Sequence, residues 1–175
     1  DVPAGAWYAE GVRYVYANGL MDGTSGTTFS PDIATSRAMI ATILWRMAGS
    51  PVVNYLMDFT DVAPEAEYGE AIRWASSEGI AGGYGDKRFA PEDTITREQL
   101  AAMLWRYAGS PETVADLSGY ADAASISEWA RQAMAWCVEQ GIIGGETTST
   151  TLDPQGEVTR AQVAVMLQKF CQLER

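Results

Sequence analysis

Residues 96–108 read TREQLAAMLWRYA, and this stretch decides the fold. Thr96 followed by Gln99 is a capping box: the threonine side chain accepts from the third amide of a helix and the glutamine reaches back to the threonine amide. Apolar residues then cover more than half of the helix circumference, which predicts packing on several sides. Two related stretches predict similar helices, residues 36–48 (SRAMIATILWRMA), where Met39 is not expected to complete the box, and residues 159–171 (TRAQVAVMLQKFC).

The chain repeats itself around this helix. Residues 1–51 align with residues 61–111 without a gap, and both runs end in Gly-Ser-Pro. A third, more diverged copy follows Asp122, and the spacing from Pro31 to Arg37 recurs in all three copies. We therefore place three repeats at residues 1–60, 61–119 and 120–175.

A shorter helix is predicted in the first half of each repeat. In the second copy Tyr68, Ala71, Ile72 and Ala75 recur at helical spacing, and Gly79 can end the helix by adopting a positive φ. A loop rich in Gly, Thr and Asp leads to a Phe-x-Pro segment, or Leu-x-Pro in the third copy, which forbids helix just before the second helix begins. Each repeat is therefore a helix, a loop and a helix.

This pattern predicts an all-α fold. We expect a pseudo-threefold bundle with the second helix of each repeat at its centre and the first helices packed outside. Cys137 and Cys171 occupy apolar positions and are expected to be buried free thiols, with an intra-repeat disulfide as the alternative. Four tryptophans lie in apolar helical stripes and are expected to pack in the core: Trp45, Trp74, Trp105 and Trp136.

Composition narrows the function. The 175 residues carry a net charge of −11, the wrong sign for nucleic acid or an anionic membrane surface. No apolar run is long enough to span a membrane, so we expect no insertion. Among 12 basic residues only Lys87 and Lys169 are lysines, which favours planar recognition of a particular anion by arginine.

Chemistry at a catalytic or metal centre is not expected from this sequence. There is no histidine, which removes the commonest general base and metal ligand. The two cysteines lack the spacing of a zinc site, and no loop has the alternating acidic pattern of a calcium site. We therefore expect no cofactor, no metal and no catalytic residue.

The candidate site residues gather where the second helix of each repeat begins. An arginine in the first turn lies beside unpaired amides and the positive end of the helix dipole, a place that prefers anions. We interpret it as an anion site, with a structural ion pair to a neighbour such as the opening Asp of a repeat as the alternative. Loop glycines would let backbone approach the ligand. The candidates are Arg37, Arg97 and Arg160, the capping residues Ser36, Thr96 and Thr159, and the glycines Gly23, Gly83 and Gly145.

These motifs together resemble the S-layer homology domain, and the resemblance covers essentially the whole chain. Its best single match is in the second copy, with an opening Phe-Thr-Asp-Val at residues 59–62 and Gly-Ile-Ala-Gly-Gly-Tyr-Gly-Asp at residues 79–86. Phe-Ala-Pro at residues 89–91 and Ile-Thr-Arg-Glu at residues 95–98 follow in the same order. This ordered set, repeated three times, is highly specific.

The resemblance implies a cell-surface anchor. Such domains hold exported proteins to secondary polysaccharides of the bacterial cell wall, often ones that carry ketal-linked pyruvate, in grooves of a three-lobed spindle. It implies an extracellular location on a Gram-positive surface and a covalently linked cargo domain. Arg37, Arg97 and Arg160 match the arginine expected to engage the acidic sugar. Trp7 and Trp129 match the aromatic of the first helix, where the second copy has Glu67-Tyr68.

Departures from the family pattern favour one groove over the others. The first copy has Met39 where the motif ends in an acidic or amide residue, and the third copy lacks the Tyr-Gly-Asp turn. The groove that uses Arg97 is therefore the best candidate. Two other functions stay open: a protein-binding or self-assembly module of a surface layer and, less favoured because the acidic residues are scattered, a polysaccharide-active enzyme.

Overall fold

The computed structural model describes residues 1–144 and 149–173, and within these ranges it contains helices and no β-strand. The predicted all-α class is therefore confirmed. Two short 3₁₀ turns, Ala123–Ser125 and Glu128–Ala130, precede the fifth helix. The α-helices are α1 (Ala9–Ala17), α2 (Arg37–Met47), α3 (Gly69–Ser77), α4 (Arg97–Tyr107), α5 (Arg131–Glu139) and α6 (Arg160–Cys171).

The second helix of each repeat begins at its arginine, as the capping pattern predicts. Thr96 Oγ1 accepts from the Gln99 amide at 3.3 Å, and Gln99 Oε1 accepts from the Thr96 amide at 3.1 Å. The expectation that Met39 cannot complete the box is wrong. Its thioether sulfur lies 3.5 Å from the Ser36 nitrogen and takes the place of the amide oxygen as a weak acceptor.

The first helix of each repeat ends at a glycine in the left-handed region. The φ angles are 66° at Gly19, 68° at Gly79 and 70° at Gly141. The amide that follows each glycine turns back onto the last helical turn, as in the 2.8 Å bond from Ile80 N to Ala75 O. The glycine thus reverses the chain and directs the loop back along the helix.

The helices pack in an order that links the repeats in a cycle. The second helix of one repeat packs against the first helix of the next: α2 against α3, α4 against α5, and α6 against α1. Second helices also meet, since the rings of Tyr107 on α4 and Phe170 on α6 lie 5.9 Å apart. The contacts give the order of the repeats, and the rotation that relates them stays a prediction.

A ring of three backbone hydrogen bonds closes this cycle. Thr35 N donates to Val158 O at 2.9 Å, Val158 N donates to Ile95 O at 3.3 Å, and Ile95 N donates to Thr35 O at 2.8 Å. All three residues are fully buried. Each belongs to a different repeat and stands just before a second helix, so the ring fixes the three helix starts relative to one another.

The predicted core residues divide into two groups. Trp74 and Trp136 are buried, whereas Trp45 and Trp105 are half-buried and each indole donates at 2.9 Å to the carbonyl of the proline that ends the repeat motif. The two cysteines form no disulfide with each other; Cys137 is buried and Cys171 is half-buried. Burial raises the pKa of Cys137 to about 12, so this thiol stays protonated at neutral pH.

Candidate functional site

The opening aspartate of each repeat clamps the turn that precedes the second helix. In the second repeat Asp61 Oδ1 and Oδ2 accept from the amides of Phe89 and Ala90 at 2.9 and 2.8 Å. Ala90 has a φ of 56°, so the carboxylate holds a left-handed turn that an alanine rarely adopts. Asp1 and Asp122 clamp Phe29-Ser30 and Leu152-Asp153 in the same way.

This clamp shifts the titration of its carboxyl group. Partial desolvation raises the pKa of Asp61, but the amides of Phe89 and Ala90 favour the charged form, and the pKa is lowered overall. A carboxyl with a depressed folded-state pKa stabilises the fold above its ordinary pKa. We therefore expect the clamp to weaken as the pH falls below about 3.9, the usual value for aspartate.

Two of the predicted arginines connect neighbouring repeats through carbonyl groups. Arg37 donates from Nε to Phe89 O at 2.9 Å and from Nη2 to Gly82 O at 2.8 Å. Arg160 makes the equivalent bonds to Phe29 O at 2.8 Å and Asp22 O at 2.6 Å. Arg37 therefore bridges the first and second repeats, and Arg160 bridges the third and first repeats.

Burial of these two arginines is nearly complete. Arg37 is 5% exposed and Arg160 is 4% exposed, and desolvation lowers the pKa of each guanidinium. The guanidinium of each also lies over the phenylalanine whose carbonyl it binds, 4.7 Å from the Phe89 centroid and 4.5 Å from the Phe29 centroid. Each phenylalanine is thus held by an Asp at its amide and by an Arg at its carbonyl.

Arg97 joins the second repeat to the third in the same manner but is only half-buried. Its Nε donates to Leu152 O at 2.9 Å, and Leu152 N in turn donates to Asp122. A leucine replaces the phenylalanine here, so the residue whose carbonyl Arg97 binds has no aromatic ring to offer the guanidinium. Among the three arginines, Arg97 has the greatest exposure to solvent.

The helix starts offer no free amides to an anion, and this part of the sequence interpretation is wrong. Arg97 N donates to Gly156 O at 3.0 Å, Glu98 N donates to Pro154 O at 2.9 Å, and the third amide donates to the Thr96 cap. The other two helix starts are satisfied in the same way by carbonyls of another repeat. Neighbouring backbone, which no local sequence pattern reveals, has taken the place of the expected ligand.

Two clefts between repeats have equivalent positions in the cycle. Groove 1 is a cleft of about 430 Å³ between α2 and the start of the second repeat, with Arg160 at its wall. Groove 3 is a cleft of about 250 Å³ between α6 and the start of the first repeat, with Arg97 at its wall. Each is thus built by one second helix, the loop of its own repeat, the start of the next repeat and an arginine of the preceding repeat.

Groove 3 carries positive charge and an exposed aromatic ring. Arg97 and Lys169 are the charged side chains among the described residues that line it, and Trp7 is 66% exposed. Polar groups that can donate and accept complete the lining, namely Ser149, Thr151 and Gln162. The structure therefore brings together Arg97 and Trp7, two of the sequence candidates, which belong to different repeats.

Groove 1 differs in charge and lacks the tryptophan. Its lining includes Arg46 and Arg160 together with Asp22, Glu67 and Glu92. Arg46 Nη1 pairs with Asp22 Oδ2 at 2.9 Å and also donates to Leu20 O at 3.3 Å. Glu67 stands where groove 3 has Trp7. Ser36 and Tyr68, two further candidates, also line this cleft.

The corresponding position on α4, which we call groove 2, is defined by Arg37, Tyr84 and Gln99. The Arg37 guanidinium lies 4.8 Å from the Tyr84 ring centroid, and Gln99 Nε2 is 3.1 Å from the Tyr84 hydroxyl. Trp129 is 52% exposed and belongs to the 3₁₀ turn that packs on α4. Groove 2 therefore holds a side chain of its own loop against its arginine.

The remaining candidates have local roles. Thr96, Thr159 and Ser36 accept from the third amides of their helices at 3.2–3.3 Å. A Cβ at Gly23 would stand 2.6 Å from Thr28 O, and one at Gly83 would stand 2.5 Å from Arg88 O, so these glycines serve close packing within their own loops. Gly145 lies outside the described residues.

Sequence reasoning missed several residues of the site. The sequence shows the aspartate clamps only as aligned Asp and Phe positions. It shows Gln162 and Lys169 only as residues in the first and third turns of a helix. Glu98, 4% exposed, accepts from the amide and hydroxyl of Ser127 at 2.9 and 2.7 Å and joins α4 to the third repeat. No group of three metal-binding side chains occurs within residues 1–144 and 149–173.

Comparisons with known proteins agree with this architecture. The chain is 29% identical over 168 residues to an amylopullulanase of Thermoanaerobacterium thermosulfurigenes, covering 92% of this chain and 9% of the relative. It is 31% identical to a surface-layer 125 kDa protein of Lysinibacillus sphaericus (91% and 14%), and 32% identical to an endoglucanase of Bacillus sp. strain KSM-635 (95% and 18%). The chain thus spans less than a fifth of the length of these relatives.

The family comparison is more specific. The profile of the S-layer homology domain matches residues 1–38, 58–101 and 119–164, one segment in each repeat. None of the helices in the described ranges is both long and apolar enough to cross a membrane. The three matched segments cover most of the chain, and the protein therefore belongs to the S-layer homology domain family, as a non-catalytic module that anchors proteins at the cell surface.

Proposed function

We propose that this module attaches its parent protein to the cell wall by binding an acidic, pyruvylated secondary polysaccharide, with groove 3 as the principal site. The observation that carries the proposal is the lining of groove 3: Arg97, Lys169 and the exposed ring of Trp7 face one cleft between the third and first repeats. The site is extracellular in this proposal, and the ligand is held without catalysis.

The chemistry of groove 3 suits an anionic sugar. A guanidinium and an ammonium group provide charge-assisted hydrogen bonds to a carboxylate, which are about twice as strong as neutral ones. An exposed indole face provides a flat apolar surface for a sugar ring. Hydroxyl and amide groups of Ser149, Thr151 and Gln162 match the hydroxyl and acetamido groups of a polysaccharide. The overall charge of −11 opposes anions, so capture depends on this local arrangement.

The relatives suggest how the module is used. They include proteins named as polysaccharide-degrading enzymes and as surface-layer proteins, and this chain corresponds to a small part of each. We propose that the module is covalently linked to a cargo domain and holds that cargo at the bacterial surface. Self-assembly of a surface layer would then belong to the cargo, and solutions of this module alone should show no concentration-dependent increase in light scattering.

Calorimetry with purified, pyruvylated cell-wall polysaccharide tests the proposal. Arg97→Ala should weaken binding by about 10- to 150-fold, since a charged hydrogen-bonding partner contributes about 1.5–3 kcal/mol. Trp7→Ala should weaken it at least about tenfold and leaves every arginine bridge intact. Arg13, exposed on α1 and outside the lining of groove 3, is the matched control, and Arg13→Ala should bind as the parent does.

A separate experiment tests which group of the ligand the protein recognises. Mild acid treatment that removes the pyruvate ketal should abolish binding by the unmodified protein if the carboxylate is the recognised group. Circular dichroism and thermal melting should accompany Arg97→Ala because its Nε bond to Leu152 O is lost. Undiminished affinity in both Arg97→Ala and Trp7→Ala, with folded proteins, would contradict groove 3 as the site.

A further inference from the structure

We propose that Tyr84 is a built-in occupant of groove 2, which keeps Arg37 from an external ligand and leaves this groove unavailable while groove 3 binds. The inference rests on the proposed function, because that function makes groove 2 a potential ligand site. The position of Tyr84 in this groove rests on the contacts around Arg37. Groove 2 would open only when the Tyr84 ring moves aside.

The contacts of Tyr84 repeat those expected of a bound sugar. Its ring stands 4.8 Å from the Arg37 guanidinium, within the range of a cation–π contact. Its hydroxyl stands 3.1 Å from Gln99 Nε2. Gln162, the residue equivalent to Gln99, faces the cleft in groove 3. The phenol of Tyr84 therefore uses the two groups, guanidinium and amide, that a ligand would use in the equivalent groove.

Ring contacts around the arginine agree with this occupancy. The Arg37 guanidinium lies 4.7 Å from the centroid of the buried Phe89 ring and 4.8 Å from the centroid of the Tyr84 ring, which is 49% exposed. Nε and Nη2 of Arg37 are bound to carbonyls on the inner side, and the Tyr84 ring lies against the same guanidinium. Of the two rings that contact the guanidinium, Tyr84 is the one on the solvent side and therefore the one that could move aside.

The repeats differ at the covering position. The residue of the first repeat that aligns with Tyr84 is Thr24, which lines the open cleft of groove 1. In the third repeat the aligned residue is Glu146, which lies outside the described residues. A bulky aromatic ring at this position is thus a feature of the second repeat, and Tyr84→Thr transplants the side chain of the first repeat into it.

A chemical probe tests the cover without any polysaccharide. Phenylglyoxal modifies accessible arginines, and mass spectrometry can follow the modification of Arg37 in the whole chain. Tyr84→Thr should raise the rate at Arg37 at least about fivefold, and Tyr84→Phe, which keeps the ring, should raise it less than about twofold. Arg13 in the same sample gives an internal reference. An unchanged rate at Arg37 in Tyr84→Thr would overturn the inference.

Binding to the pyruvylated polysaccharide gives the second test, in a background of Trp7→Ala with groove 3 weakened. Tyr84→Thr should restore binding at least about tenfold over that background, whereas Tyr84→Phe should not. A further loss with Tyr84→Thr would show that the ring is a platform for the ligand and would overturn the inference. Faster modification of Arg37 with no binding by any variant would uphold the cover and refute the proposed function, so the two failures are distinguishable.

Discussion

Groove 1 and groove 3 share their framework and differ in the residues that face the cleft. Both have an arginine of the preceding repeat that donates from Nε to a loop carbonyl, Arg160 in groove 1 and Arg97 in groove 3. Beyond this arginine the linings diverge, with Glu67 in the place of Trp7 and Met39 in the place of Gln162. The arginine that connects neighbouring repeats is therefore common to both grooves, and the grooves differ in the side chains that line the cleft.

Charge separates the two grooves most clearly. In groove 1 two arginines face three carboxylates, those of Asp22, Glu67 and Glu92, and one arginine is already paired. In groove 3 the described lining has two cations and no carboxylate. Charges near a protein surface interact more strongly than they do in bulk water. If groove 3 is the ligand site, as we propose, the charges of its described lining favour an acidic sugar, and those of groove 1 oppose it.

The largest expected effect concerns stability and separates the two arginines. Arg160→Ala should lower the free energy of unfolding by about 3–4 kcal/mol, because it leaves two carbonyls without a charged donor and removes the ring contact. Arg97 is more exposed and binds the carbonyl of a leucine, where Arg160 binds that of a phenylalanine, so Arg97→Ala should cost about half as much. Urea unfolding followed by circular dichroism measures both. Equal losses would show that the difference in burial between the two arginines does not affect the free energy of unfolding.

The second prediction concerns a substitution that gives groove 3 a residue of groove 1. Trp7→Glu places a carboxylate where groove 1 has Glu67 and removes the exposed ring, so binding of the pyruvylated polysaccharide should weaken about 100-fold, or about 2.7 kcal/mol. Trp7→Tyr keeps an aromatic surface and should stay within about threefold of the parent. Calorimetry distinguishes the two. A similar loss in both variants would mean that shape, and not charge, decides the groove.

The reciprocal substitutions, in groove 1, should increase the affinity for the polysaccharide by a smaller factor. Glu67→Trp combined with Glu92→Gln removes two of the three carboxylates from groove 1 and adds an indole at the start of the second repeat. In a Trp7→Ala background these changes should restore about tenfold in affinity, since Arg160 stays committed to its carbonyls. Glu10→Gln, on the exposed surface of α1, controls for the loss of a carboxylate outside the groove. No gain would show that charge alone does not exclude the ligand.

The sequence could predict the helices and their ends because these features are local. The capping residues, the glycines at positive φ and the repeat itself are each encoded within a few residues of where they act. Even the exception at Met39 is local, since sulfur replaced oxygen as the acceptor. The all-α class and the family follow from the same short-range signals.

The partners of the arginines could not be predicted, because they are backbone carbonyls of another repeat. A carbonyl has no sequence signature, so Arg37 and Arg160 were expected beside an anion or an acidic neighbour. The aspartates do lie nearby, yet they bind the amide of the residue whose carbonyl the arginine binds. Which repeat completes each groove also depends on the packing of α6 against α1, a contact between the two ends of the chain.

The smallest expected effect concerns Lys169, which aligns with Arg46 and Arg106. Those arginines donate to carbonyls of their own loops, at 3.3 Å to Leu20 O and 3.2 Å to Ile80 O. Lys169 is exposed, so Lys169→Gln should weaken binding only about threefold, with a smaller loss at high salt. Lys169→Arg should not strengthen it, because a planar guanidinium at this position would turn to the loop carbonyl of Ile142. Tighter binding by the arginine variant, measured by calorimetry, would show that this position serves the ligand in every groove.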